Sequence, residues 1–397
     1  MQWPEGFMWG TGASSTQCEG ASPASNWWDW ERQDMAPISG EGNGFARRFR
    51  EDFGIFAELG LTNHRLSIEW ARIEPEEGVH DQAAIEHYRE ILGAASAAGV
   101  TPWVCLHHFT LPRWFAEAGA FLVEKNRTEF WTRHVDFMAE TFGDLVGGWQ
   151  PVNETNYYAG AAYLSGTWPP GHKDRDECAV ATEAIQLATA EAAVRLKQTG
   201  VPVCSIFGLY CEVPLDDEPA TKTRAELLRA TNWDAGIGLF RDGVLRLPGR
   251  KPIERPDLGG SFDLFGFSYY ANIGVAKGEM APYPADAPIS PLGYGIEAKG
   301  LRLVLDRLKV ELPDTPLLVA EYGVGTDDDA FRAQYIEDGL SEVQAALARG
   351  IDVRGFFHWT GVDNYEWRHG YDVSFGIVDR DRQVRPSARV LQREAKQ

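Results

Sequence analysis

The segment 56–70, FAELGLTNHRLSIEW, contains the pattern that decides the fold of this 397-residue chain. A helical stretch ends at Gly60, an aliphatic residue follows, and a strand-like run begins at once. Glycine suits the left-handed conformation in which many helices end. The pattern recurs at Gly99, Gly200 and Gly350, so helix–glycine–strand units follow one another along the chain. Such a series predicts an α/β fold.

Eight runs have the aliphatic and aromatic character of strands that are buried on both faces. In chain order they are FMWGTGAS, HRLSIEW, WVCLHHF, VGGWQPVN, VCSIFGLY, LFGFSYY, LLVAEYG and RGFFHWT. Helical patterns lie between most of them, which predicts a single (β/α)8 barrel domain over residues 1–397. A doubly wound sheet would have fewer strands and a glycine-rich phosphate-binding loop. The segment GTG at 10–12 lacks the third glycine of such a loop, so this alternative is disfavoured.

Composition excludes several classes of function and partner. The formal net charge is −20 and no run of Lys or Arg appears, so nucleic acid and anionic membranes are not expected partners. No window approaches the roughly 18 apolar residues of a membrane span, and no signal-peptide pattern opens the chain. The five cysteines match no zinc or redox spacing, so we expect reduced thiols in a cytoplasmic protein. Tryptophans in polar surroundings, as in SNWWDWE, indicate a surface that stacks on a flat ligand.

In such a barrel the active site lies at the C-terminal ends of the strands, where this chain has carboxylates, amides and aromatic residues. Adjacent strand residues point to opposite faces, so only one of His107 and His108 can face the site, which argues against a two-histidine metal centre. No GxSxG pattern supplies a serine nucleophile, and no cofactor is expected. The strand-end residues are Gln17, Glu19, Arg65, Glu69, His107, His108, Asn153, Glu154, Tyr269, Tyr270, Glu321, Trp359 and, just beyond the eighth strand, Asp363, Glu366 and Trp367.

Glu154 and Glu321 end the fourth and seventh predicted strands and suggest an acid/base or acid/nucleophile pair. A separation of about 5 Å would suit a retaining glycosidase and a wider gap an inverting one, and sequence spacing leaves that distance open. Tryptophan and tyrosine offer flat faces to sugar C–H groups, while Gln, His, Asn and Glu bond ring hydroxyls. Each residue alone is more often structural. Their joint position at strand ends favours a sugar-processing site.

Eight motifs in order along the chain resemble those of glycoside hydrolase family 1, the β-glucosidase family. The long final block is the most specific, and the resemblance runs nearly from end to end. The motifs are GFMWGTGASSTQCEG (6–20), HRLSIEWARIEPEEG (64–78), CLHHFTLPRW (105–114), WQPVNET (149–155), GTWPPG (166–171), FGFSYY (265–270), LLVAEYG (317–323) and GFFHWTGVDNYEWRHGYDVSFGIVDRD (355–381).

The resemblance implies a retaining β-glycosidase that acts on soluble β-glycosides by double displacement. It implies that Glu154 is the general acid/base and Glu321 the nucleophile, with Arg65 and Tyr270 contacting the nucleophile. Trp359 would be the platform under the sugar ring, and a Glu366–Trp367 pair argues against the branch that takes 6-phosphorylated sugars. The implied hydroxyl-binding residues are Gln17, His108, Asn153, Glu366 and Trp367.

Several residues depart from the family pattern beside the two carboxylates. We expect Thr155, which replaces a proline, to loosen the turn that aims Glu154, and Tyr322, which replaces an asparagine, to crowd the leaving-group side. β-Glucosides are the expected substrates; β-galactosides, β-fucosides, a broad specificity, transglycosylation, or a sugar-binding homologue with negligible turnover are the alternatives. The other departures are Ser268 for Asn, Ala320 for Thr, Thr360 for Ser and Ser374 for Arg.

Overall fold

The computed structural model describes residues 2–397, and Met1 lies outside the described residues. Eight parallel strands form one sheet with the order β4-β3-β2-β1-β8-β7-β6-β5. We number these strands in chain order: β1 Met8–Gly12, β2 Asn63–Ser67, β3 Thr101–His107, β4 Gly148–Val152, β5 Phe207–Gly208, β6 Phe265–Tyr269, β7 Leu317–Tyr322 and β8 Val353–His358.

The ring closes between β4 and β5. Trp149 of β4 bridges Val203 in parallel, and the Cys204 amide donates to the Trp149 carbonyl at 2.8 Å. The ladder of β5 is shorter than the predicted run VCSIFGLY, because the Ser205 hydroxyl bonds both the amide and the carbonyl of Gly266 in place of a backbone ladder. Segment 203–208 therefore joins β4 to β6, and the predicted (β/α)8 barrel is confirmed.

Helices surround the barrel and pack apolar residues against it. Gly60 and Gly350 follow the helices that precede β2 and β8, and both have φ of 79°, as the opening pattern requires. We number eight of the helices α1 Phe45–Glu58, α2 Gln82–Ala97, α3 Thr132–Phe142, α4 Arg175–Leu196, α5 Ala235–Asp242, α6 Leu301–Glu311, α7 Asp329–Ala348 and α8 Ala388–Ala395. Further helices, left without a number, are Ser15–Glu19, Asn26–Arg32, Trp70–Ile73, Arg113–Glu117 and Pro219–Arg229.

A small sheet of Glu212–Pro214, Ile273–Ala276 and Glu279–Pro282 follows β5 and β6 in the chain. At the other end of the sequence, Arg382 forms a bidentate ion pair with Asp52 of α1, at 2.7 and 2.9 Å. Both side chains are 1% exposed, so the segment after β8 is tied to the first barrel helix. Within residues 2–397 no helix is long and apolar enough to cross a bilayer.

Candidate active site

Glu321 lies at the C-terminal end of β7, where the pairing of β7 with β6 shifts register between Val319 and Glu321. An irregularity of this kind re-aims a side chain and is common beside active sites. The Glu321 carboxylate accepts hydrogen bonds from the Arg65 guanidinium and, at 2.5 Å, from the Tyr270 hydroxyl. Burial raises the pKa of Glu321, whereas the Arg65 charge and both hydrogen bonds act in the opposite direction.

Arg65 organises the residues around Glu321. It is fully buried, and its Nη2 donates to Asn153 Oδ1 at 2.6 Å and to His108 Nδ1 at 2.8 Å. Because an arginine can only donate, His108 accepts through Nδ1 and carries its proton on Nε2. Burial and the Arg65 charge lower the pKa of His108 well below its usual value, so the ring is neutral.

The amide of Asn153 is oriented in the same way. Its Oδ1 is held by Arg65, so Nδ2 is the end that can donate to a ligand. Asn153 Nδ2 lies 3.4 Å from His108 Nε2, and both nitrogens carry protons. Two hydrogen-bond donors therefore converge near Glu321, an arrangement that fits a ligand hydroxyl.

Glu154 follows β4 and has φ of 43°, a conformation that is uncommon outside glycine. Its Oε1 accepts a hydrogen bond from the Ser268 hydroxyl at 2.5 Å. A Cβ built on Gly208 would lie 3.2 Å from the Glu154 Cδ, so the absence of a side chain there leaves room for the carboxyl. Burial, with the charge of Glu321 second, raises the pKa of Glu154 to about 7.

The two carboxyl groups meet around Ser268. Ser268 is the register partner of Glu321 between β6 and β7, and its hydroxyl contacts Glu154. Burial raises the pKa of both carboxyl groups, but Glu321 has a cation and a phenol as partners, whereas Glu154 has a single hydroxyl and is exposed to the charge of Glu321. Different surroundings of this kind give two neighbouring carboxyl groups different proton occupancies near neutral pH.

A third buried carboxyl belongs to Glu366. Its Oε2 accepts from Gln17 Nε2 at 3.1 Å, and Gln17 also donates to the Tyr365 carbonyl at 2.9 Å. Burial, together with the charge of Glu321, raises the pKa of Glu366 to about 8. Amide and carboxyl thus form a fixed donor and acceptor pair on one side of the site.

Aromatic rings line the site. The Arg65 guanidinium carbon lies 5.5 Å from the centroid of Trp359, whose ring is nearly parallel to His108 at 5.8 Å. Trp367 is also nearly parallel to His108, at 6.2 Å, and packs edge-on against Trp27 and Trp168, at 4.7 Å each. The indoles are therefore held rigidly, with little freedom to lose on binding a ligand.

The structure brings the ten predicted site residues into one connected cluster. It excludes others from the strand-end set. His107 packs against Phe121 and Trp131, and Tyr269 donates to the Glu297 carbonyl at 2.8 Å, so both point away from Glu321. The cluster consists of Gln17, Arg65, His108, Asn153, Glu154, Tyr270, Glu321, Trp359, Glu366 and Trp367.

Two expectations were wrong. Tyr322 does not crowd the site: its ring stacks on Tyr335 of α7 at 4.7 Å and its hydroxyl donates to the Tyr335 carbonyl at 2.9 Å. Thr155 is fully buried with its hydroxyl 3.3 Å from that of Thr189 in α4, and its effect on the turn that aims Glu154 stays a prediction. Trp27 is no stacking surface, since it is fully buried behind Trp367.

Sequence reasoning missed residues at the mouth of the site. Tyr294, from the Pro- and Gly-rich segment after Pro282, lies 6.3 Å from Tyr270, and its buried hydroxyl has no partner within residues 2–397. Phe109 has φ of 71° and packs on Trp168 at 4.9 Å. An aromatic residue between glycines, as in LGYG, was the available signal for Tyr294. Within the same residues, no cluster of His, Cys, Asp or Glu could hold a metal ion.

Comparisons with known proteins agree with this geometry. The profile of Glycosyl hydrolase family 1 matches residues 1–397. Coniferin beta-glucosidase of Pinus contorta is 27% identical over 95% of this chain and 88% of its own. Beta-glucosidase A of Thermotoga maritima is 25% identical over 95% of this chain and 93% of its own. The solved beta-glycosidase from Pyrococcus horikoshii is 29% identical and superposes with a TM-score of 0.90 over 100% of this chain and 95% of its own. The chain therefore belongs to glycosyl hydrolase family 1 and is a glycosidase.

Proposed function

We propose that this chain is a retaining β-glycosidase that removes single sugars, above all glucose, from soluble β-glycosides. The observation that carries the proposal is the contrast between Glu154, with a pKa raised to about 7, and Glu321, held by Arg65 and Tyr270. Such a contrast supports one proton donor and one ionised nucleophile. The β-glucosidase names of the two curated relatives favour glucose.

In the mechanism that we propose, the Glu321 carboxylate attacks the anomeric carbon. Glu154 gives its proton to the departing glycosidic oxygen, and a covalent glycosyl-enzyme forms. Glu154, now ionised, takes a proton from a water molecule that attacks the same carbon, and the sugar leaves with its original configuration. Glu321 returns as a carboxylate, and Glu154 is protonated again. A pKa near neutrality lets Glu154 serve in both steps.

The donors and acceptors around the carboxyl pair would select the sugar. The N–H groups of Asn153 and His108 converge and support binding of a hydroxyl beside Glu321. Gln17 and Glu366 offer a donor and an acceptor to hydroxyls further away. Neither Gln17 nor Glu366 offers a cation to a phosphorylated sugar, so this pair disfavours such a substrate.

Hydrolysis of 4-nitrophenyl β-glucoside, followed by NMR of the first anomer released, tests this function. We expect the wild type to release β-glucose first and Glu321→Ala to lose turnover. In Glu154→Ala, azide should restore turnover by attacking the glycosyl-enzyme without a general base, yielding β-glucosyl azide. Glu31→Gln is the matched control, since Glu31 is buried but bonds only the Ser39 amide. Release of α-glucose first, or full activity in Glu321→Ala, would refute the mechanism.

The choice of sugar is tested with gluco-, galacto- and fuco-configured substrates that share one leaving group. A higher kcat/KM for a galactoside or fucoside would replace glucose in the proposal. A wild type without turnover on the whole panel would favour the sugar-binding alternative, and sugar products longer than the substrate would favour transglycosylation. We also propose one catalytic domain acting in the cytoplasm, supported by five cysteines that are all unpaired.

A further inference from the structure

Ser268 has an unusual position between the two carboxyl groups. It lies on β6, is 1% exposed and is the register partner of Glu321. Its hydroxyl lies 2.5 Å from Glu154 Oε1 and 3.5 Å from the carbonyl oxygen of Phe207. Among the side chains of residues 2–397, only Ser268 hydrogen-bonds the Glu154 carboxyl. The orientation of that carboxyl therefore depends on one hydroxyl and on the space above Gly208.

A hydroxyl can respond to the protonation state of its neighbour. When Glu154 is ionised, Ser268 Oγ donates its proton to Oε1. When Glu154 is protonated, the carboxylic acid can donate to Oγ, and the serine proton can turn to the Phe207 carbonyl. Asparagine, the residue that the family pattern has here, donates through its nitrogen and accepts through its oxygen, so its amide would have to turn over to change role, whereas a hydroxyl only rotates. Serine at this position thus offers a partner for both states of the carboxyl.

We propose that Ser268 is a positioning residue that holds the Glu154 carboxyl in both protonation states, as a donor to the ionised form and an acceptor from the neutral form. This inference rests on the acid/base role proposed for Glu154. Ser268 keeps its own proton throughout: the proton that reaches the leaving oxygen comes from Glu154, and the proton of the attacking water goes to Glu154. The serine changes only the direction in which its O–H points.

The pH profile of kcat/KM separates this role from a structural one. In Ser268→Ala both forms of the carboxyl lose their partner, but the hydrogen bond to the ionised form is the stronger of the two. The pKa of Glu154 therefore rises and the alkaline limb moves to higher pH, by about one unit. In Ser268→Asn the NH2 donor remains, and the amide oxygen can accept from the neutral carboxyl only if the whole amide turns over, so the ionised form is favoured and the limb moves to lower pH. Ser268→Thr keeps the hydroxyl and keeps the limb within about 0.3 units of wild type.

Leaving-group dependence gives a second readout. Substrates with poor leaving groups need the protonated form of Glu154, so Ser268→Asn should slow them about tenfold more than 2,4-dinitrophenyl glucoside. Ser205→Ala is the matched control, because Ser205 is a buried serine that bonds only the Gly266 backbone. Circular dichroism verifies that each variant is folded.

Opposite shifts of the alkaline limb in the alanine and asparagine variants support the proposal. A folded, active Ser268→Ala whose limb stays at the wild-type pH overturns it, as does a shift in the same direction in both variants. Absence of hydrolysis in the wild type would instead refute the proposed function, so the two failures are distinguishable.

Discussion

Replacement of Tyr270 by phenylalanine removes one hydroxyl from the Glu321 carboxylate and leaves the ring in place. The hydroxyl donates at 2.5 Å to Glu321 Oε2, and the pKa of Tyr270 is raised well above its usual value by burial, so the group is a neutral donor. A hydrogen bond to a charged group contributes about 1.5–3 kcal/mol. At about 1.36 kcal/mol per tenfold change, its loss slows a step that depends on it roughly 10- to 150-fold.

The affected step should be hydrolysis of the glycosyl-enzyme. Negative charge leaves Glu321 as the covalent bond forms and returns as it breaks, so Tyr270 stabilises the departing carboxylate in the second step. With 2,4-dinitrophenyl β-glucoside the first step needs no proton and is fast. In Tyr270→Phe we therefore expect kcat to fall by the stated factor, kcat/KM to fall less, and a burst of dinitrophenolate to equal the enzyme concentration.

Stopped-flow absorbance measures the burst and the steady rate in one experiment. Tyr269→Phe is the matched control, because the neighbouring hydroxyl bonds the Glu297 carbonyl and no carboxylate. It should leave kcat within about twofold of wild type, since it removes no contact to the reacting groups. Equal losses in kcat and kcat/KM without a burst in Tyr270→Phe would refute the role given to this hydrogen bond.

Three further predictions concern the acid/base and the scaffold. Gly208→Ala places a Cβ 3.2 Å from the Glu154 carboxyl and should lower kcat at least about tenfold. Gly93→Ala is the control, because its Cβ would meet no atom within 4 Å, and it should leave kcat unchanged. Equal kcat values in the two variants would contradict this prediction. Because the pKa of Glu154 is about 7, kcat/KM should fall above that pH as the proton is lost, and a limb near about pH 5 would contradict the assignment. Asp52→Asn leaves Arg382 buried without its charge partner and should lower the free energy of unfolding by about 3–5 kcal/mol. Urea denaturation measures this change, and a loss below about 1 kcal/mol would contradict the prediction.

The barrel was predictable because its signals are local. Helix-ending glycines such as Gly60 and Gly350 have φ of 79°, a conformation that other residues avoid, so the chain marks its own helix ends. Strands that are buried on both faces are nearly continuous runs of apolar residues, and such runs predicted all eight strands. The length of β5 was not predictable, because the Ser205 side chain replaces part of its ladder through contacts with Gly266.

The residues of the site were predictable from the sequence, whereas the contacts between them were less so. Strand ends and family motifs identified ten residues, yet the bonds of Arg65 to Asn153 and His108 depend on the curvature that brings β2, β3 and β4 together. Alternation along β7 predicts that Tyr322, which is adjacent to Glu321, points to the opposite face of the strand, and it does pack on Tyr335 of α7. The contact of Ser268 with Glu154 joins residues 114 apart in the chain, and no spacing rule reaches that far.

The most direct test of the account is to trap the covalent intermediate. A 2-deoxy-2-fluoro-β-glucoside with a 2,4-dinitrophenyl leaving group should label the enzyme once. The fluorine slows both steps, whereas the activated leaving group speeds only the formation of the glycosyl-enzyme, so the intermediate accumulates. Intact-mass and peptide mass spectrometry should place one sugar on Glu321, which Arg65 and Tyr270 hold. A label on any other residue, or steady hydrolysis with inverted configuration and no adduct, would contradict the account.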